Sequence, residues 1–99
     1  MKDQQPKLDI NLSEDIAQGI YSNLAIITHS NAEFIIDFVT MMPGVPKANV
    51  RSRVVMTPQN IKRLLNALAD NIKKFEDKNG IIKETAVEIP MLDNNGALA

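Results

Sequence analysis

Apolar and polar positions follow two different periods along the chain. From 58 to 79 the period is helical. Ile61, Leu64, Leu65, Leu68, Ile72 and Phe75 recur at steps of three and four and form one apolar stripe. Lys62, Arg63, Asp70, Lys73, Lys74 and Asp77 fall mostly off it. Thr57 carries a hydroxyl able to cap the first turn, and Pro58 stands at the first helical position, where a missing N–H costs nothing. The capping box is incomplete, because Asn60 replaces its Glu or Gln. Asn79-Gly80 supplies a left-handed stop. The pattern therefore predicts a helix roughly 30 Å long. Its stripe is expected to lie in the core, covering sheet built by the residues upstream.

Upstream of Thr57 the period is two. Leu8, Ile10 and Leu12 alternate with Asp9 and Asn11, the pattern of a short half-buried strand. Ser13-Glu14-Asp15 breaks it and can cap a short turn of helix. Residues 19–29 and 33–42 are rich in β-branched and aromatic residues, with Ser30-Asn31-Ala32 as a tight turn between them. They read as a β-hairpin. With an even loop, Tyr21, Asn23, Ala25 and Ile27 share a face with Phe34, Ile36, Phe38 and Thr40. The other face then carries Ile20, Ser22, Leu24 and Ile26 with Ile35, Asp37, Val39 and Met41. An odd loop re-pairs these sets, and a helix over 33–42 is the competing reading. Pro43-Gly44-Val45-Pro46 ends the second strand. Residues 47–56 form the next, with Val50, Val54 and Met56 on one side and Asn49, Arg51 and Arg53 on the other. Ile81-Ile82 and 86–89 suit a docked strand or turn.

The expected fold is α+β: an antiparallel meander of about four strands followed by one long amphipathic helix. Residues 1–6 are expected to be a disordered start, 7–89 a single domain and 90–99 a flexible tail. One helix covers one face of a sheet, yet both faces of the hairpin carry large apolar residues. A second copy is the simplest cover, so a dimer or higher homo-oligomer is expected. The residues assigned to self-association are Leu24, Ile26, Phe34, Ile35, Ile36, Phe38 and Met41.

Composition narrows the chemistry. The chain has 99 residues, a length at which association helps to bury enough surface. No cysteine is present, which removes disulfides, thiolate catalysis and cysteine-based zinc sites. No apolar run reaches the roughly 18 residues of a membrane span, and the first ten residues lack a signal core, so the cytosol is the expected compartment. His29 is the only histidine and has no triad partner in view, so it is read as a polar residue at a hairpin end. Asp9, Glu14, Asp15, Glu33 and Asp37 lack cation-loop spacing and are read as surface. Asp37 is the exception, set inside an apolar strand, where Arg51 or Arg53 on a neighbouring strand can pair with it. Gly44 and Gly80 are isolated, so no phosphate-cradling loop exists. No cofactor, metal or catalytic residue is expected.

Charge is unevenly spread. Residues 1–37 carry −4, 38–69 carry +5 and 70–99 carry −2, for a net −1. The positive segment holds Lys47, Arg51, Arg53, Lys62 and Arg63 without one carboxylate. These five are the candidate anion-binding residues, two on a strand and two near a helix N-terminus. Ion pairing with the acidic strands, within the chain or across an oligomer, is the favoured alternative.

Residues 10–80 resemble a family of small bacterial proteins known as domain of unknown function number 3467. The pieces that carry the resemblance are Tyr21-Ser22-Asn23, Ser30 with Glu33-Phe34, Asp37-Phe38, Pro43-Gly44, Arg51 with Thr57-Pro58, Lys62-Arg63-Leu64-Leu65, and Glu76 with Gly80. The resemblance implies one coherent domain and no particular activity. In element order alone, strands and then a long helix, the chain is also similar to the export chaperone SecB. The expected function is thus a non-enzymatic, self-associating interaction module, with a protein partner as one form of it. A nucleic-acid-associated protein using residues 47–63 is the alternative, and a SecB-like holdase a third. No membrane partner is expected.

Overall fold

The structure, a computed structural model, describes residues 8–44 and 46–85. Its elements are α1 (Glu14–Ala17), β1 (Leu24–His29), β2 (Phe34–Thr40), β3 (Asn49–Met56) and α2 (Pro58–Asn79). The strands make one antiparallel sheet in the order β1-β2-β3, so β2 is central and both of its neighbours are edges. The class is α+β, with three strands and not about four among the described residues. Leu8, Ile10 and Leu12 alternate as a strand should, but they are exposed and have no ladder to join. Alternation marks a chain fit for a sheet; a strand also needs backbone partners. Ile81-Ile82 form no strand either, and residues 86–89 lie outside the described residues.

The β1–β2 register pairs Leu24 with Val39, Ile27 with Ile36 and His29 with Phe34, the even-loop arrangement. Ser30 shapes the turn. Its backbone N–H donates to the Glu33 carbonyl at 2.9 Å, and its Oγ accepts from the N–H groups of Ala32 and Glu33. The other end of the hairpin is fastened by side chains. Asn23 Nδ2 donates to the Met41 carbonyl and Asn23 Oδ1 accepts from the Met41 N–H, both at 2.8 Å. The Asn23 amide thus imitates one more rung of the ladder. Ser22 Oγ lies 2.9 Å from the Leu24 carbonyl and 3.0 Å from that of Val39, and Thr40 Oγ1 donates to the Tyr21 carbonyl at 2.6 Å.

β3 departs from simple alternation. Phe38 pairs with Ser52 but Val39 pairs with Val50, which leaves Arg51 as the extra residue of a β-bulge. The bulge reverses parity. Val54 and Met56 lie with Ile36 and Phe34, whereas Val50 lies opposite Val39, on the face of Arg53 and Val55. The expectation that Val50, Val54 and Met56 share a face is therefore corrected. Arg51, as the extra residue, has no partner across on β2.

Helix α2 forms as its sequence dictates. Thr57 Oγ1 accepts from the Asn60 N–H at 3.2 Å, Pro58 opens the first turn, and Gly80 ends it at φ 90°, ψ 165°. That conformation is open essentially only to glycine, though it is not the left-handed helical one expected. The helix does not cover the sheet. Extensive contact is confined to the strand pairs, and no residue of α2 is buried. The cause is the connection. Thr57 alone separates Met56 from Pro58, whereas strand–helix links that reverse direction take about two to six residues. The buried core of the described residues is small: Ile36 at 5% exposure, Val39 at 2%, and the polar Asp37.

Candidate interaction surface

Among the described residues, three apolar surfaces on the helix and the sheet meet solvent. The longest is the α2 stripe, where Leu64, Leu65, Leu68, Ile72 and Phe75 are 39–57% exposed. A helix of this amphipathicity ordinarily turns its stripe inward, and α2 has nothing to turn it toward. The second is the sheet face of Phe34, Ile36 and Phe38, flanked by Ile27 and Val54. Near its far end lies a cleft of about 410 Å3 lined by Asp15, Ile16, Ile20, Ser22, Phe38 and Ser52. The third is the opposite face, with Leu24, Ile26 and Ile35 beside the exposed Val50 and Val55.

The residues assigned to self-association thus divide between two faces. Phe34, Ile36 and Phe38 occupy one; Leu24, Ile26 and Ile35 the other; Met41 follows the end of β2. Ile36 is already covered by its own chain and is the least available of them. The α2 stripe was not assigned to association from sequence, and it is left open along five large apolar residues. Its signal was present in the spacing. What was missed is the single-residue link that keeps it off the sheet.

The cations are dispersed. Arg53 is engaged: its Nε lies 2.6 Å from Asp37 Oδ1 and its Nη2 donates to Asp37 Oδ2 at 2.9 Å, a two-pronged pair. The hydrogen bond from Arg53 holds the Asp37 carboxyl below its ordinary pKa, helped by the nearby positive charge and opposed by partial desolvation. The same contact raises Arg53. The Asp37 side chain is only 13% exposed, yet little protein surrounds it beyond its immediate neighbours. The site is shallow, and Arg53 at 62% reaches into solvent. Arg51 sits at the bulge, Lys47 precedes β3, and Lys62 and Arg63 lie in the first turns of α2. Arg63 donates to Asn60 Oδ1 at 2.9 Å. The favoured reading, ion pairing within the sheet, is realised for Arg53.

On the outer side of α2, Lys73 pairs with Asp77 at 3.0 Å and Lys74 with Asp70 at 3.1 Å. Glu76 is half-buried and accepts the Ile82 N–H at 2.9 Å. This draws the chain after Gly80 back beside the stripe and leaves a cleft of about 420 Å3 lined by Asn71, Ile72, Phe75 and Ile82. His29 stacks on Phe34, with ring centroids 5.2 Å apart. Among the described residues no three His, Asp or Glu gather as a metal site, and no helix is long and apolar enough to cross a membrane.

Over residues 1–84 the chain matches the family model described as "Protein of unknown function (DUF3467)". No curated protein and no solved structure shows a significant match.

Proposed function

The chain belongs to that family of proteins of unknown function, and from this premise we propose that it is a non-enzymatic, self-associating interaction module. One observation carries the reading: the α2 stripe is apolar, continuous and uncovered in the single chain. Among the described residues, two buried apolar side chains are far too few to offset the ordering of some 80 residues. A three-stranded sheet and a free amphipathic helix are each marginal alone. Apolar cover from another protein surface completes the core, and a second copy is the surface always at hand. Folding and association are then one process.

The nucleic-acid reading is weakened by geometry, because Arg53 is committed to Asp37. Analytical ultracentrifugation at micromolar concentration tests self-association. A dimer or larger species is the expected result, and a single 11.0 kDa species would refute it.

A further inference from the structure

Resting on that reading and going beyond it, the geometry points to an antiparallel pairing of α2 with α2 of a second copy, Lys62 of each chain facing Glu76 of the other. The seam comes first. Ile61, Leu65, Leu68, Ile72 and Phe75 are separated by four, three, four and three residues. This is the seven-residue repeat by which one helix packs along another. The same spacing fixes the flanks. Lys62, Ala69 and Glu76 occupy equivalent positions on one side of the seam; Leu64, Asn71 and Lys78 occupy the other.

Orientation follows from charge. Two identical helices laid antiparallel, seam to seam, present the same flank to each other. Lys62 then meets Glu76 of the partner subunit at both ends, with Ala69 against its own copy at the crossing point, where its small side chain permits close approach. On the second flank the Lys78 stem covers Leu64 of the partner subunit. Parallel packing instead joins unlike flanks. It sets Glu76 against Asn71 and carries Lys62 opposite Thr57, so no opposite charges meet. Parallel helix dipoles also repel, while antiparallel ones attract.

The structure leaves these two groups available. Asp70, Asp77, Lys73 and Lys74 pair off within the helix, whereas among the described residues Lys62 makes no ion pair. Glu76 uses Oε2 for the Ile82 N–H, and among the described residues Oε1 accepts nothing. Area supports a contact larger than the seam. The uncovered parts of Leu65, Leu68, Ile72 and Phe75 amount to on the order of 400 Å2 per copy, against about 800 Å2 per partner in a standard interface. Antiparallel pairing supplies more. It brings the exposed Ile82 at the end of one helix to the other chain's Thr57, next to Val54 and Met56 on the sheet.

Because the chain has no native cysteine, introduced thiols report geometry without background. Lys62→Cys and Glu76→Cys chains are mixed and treated with a short bismaleimide. The expected result is a linked dimer from the mixture and none from either chain alone, since like positions lie about 21 Å apart in an antiparallel pair. Linkage within either variant alone, or none in the mixture while the wild type sediments as a dimer, overturns the pairing and leaves self-association standing. A monomeric wild type overturns both. As a second arm, Lys62→Glu and Glu76→Lys should each weaken the dimer about tenfold, and the double variant should regain most of it. Failure of the double variant to recover, with its helix content intact, counts against the pairing.

Discussion

Truncating Leu68 separates a helix that finishes a shared core from one that merely rides on its own chain. Leu68 lies at the centre of the seam and is 54% exposed in the single chain. Leu68→Ala removes three carbons, worth about 0.8 kcal/mol each on full burial, or about 2.4 kcal/mol in all. With a little under half of that surface covered within the chain, an isolated monomer should lose about 1 kcal/mol. Covering the remainder at an interface adds about 1.3 kcal/mol per copy and about 2.6 kcal/mol per dimer, which weakens Kd roughly 70-fold. Sedimentation equilibrium over a wide concentration range reads Kd directly. Urea melts at two protein concentrations give the companion measurement, because a linked equilibrium moves its midpoint with concentration. Lys73→Ala on the outer face is the control and should leave Kd within about twofold. If Leu68→Ala shifts Kd less than about threefold, or if the wild-type midpoint ignores concentration, the stripe is not an interface.

Three further outcomes follow from the local geometry. Thr57→Ala removes the acceptor for the Asn60 N–H and should cost about 1 kcal/mol of stability, measured by urea denaturation at fixed concentration. Asn23→Ala removes both hydrogen bonds to Met41 and should cost about 1–2 kcal/mol, with faster amide exchange at Met41 as its local signature. The Asp37–Arg53 pair sets a pH dependence. The folded-state pKa of Asp37 is depressed, so its contribution is complete above the unfolded value near 3.9 and is lost as pH falls through the lower folded value. Stability should therefore drop below about pH 4, and Asp37→Asn should lower stability at neutral pH while flattening that acid limb, as followed by melts from pH 2 to 7.

Local periodicity was enough to identify most elements. The hairpin was legible though the parity of its loop was not; α2 followed from its stripe and caps, and the Asp37 pair from a carboxylate set in an apolar strand next to arginines. What escaped was non-local. Leu8, Ile10 and Leu12 carry the alternation of a strand, but whether a partner ladder is within reach is not written in that segment. The bulge at Arg51 inserts one residue without any glycine or proline to announce it, and so Val50 was assigned the wrong face. The largest difference, a helix standing clear of its sheet, depends on the length of one connection. The apolar stripe has the periodicity of a covered helix; the spacing alone does not name a surface that covers it.

The residues that carry the family resemblance mostly fasten backbone to backbone. Ser22 and Asn23 close one end of the hairpin, Ser30 closes the other, Asp37 ties β2 to β3, and Thr57-Pro58 starts α2 without a loop. None of these contacts needs a large buried core, because each satisfies polar groups near the surface. These fastenings set the local geometry of the chain, while most of its apolar side chains stay exposed in the single copy. The single-residue link at Thr57 leaves α2 little room to turn back over its own sheet, and the stripe stays open in the single chain. Lengthening that link should reverse the effect. Inserting a flexible Gly-Ser-Gly-Ser segment after Met56 gives α2 the reach to fold back on Phe34, Ile36 and Val54, so that intramolecular cover competes with association. The variant should sediment at lower mass than the wild type and keep a cooperative melt whose midpoint no longer depends on concentration. An insertion that leaves the mass unchanged would show that α2 is held away from the sheet by its partner, and that the short link is not the cause.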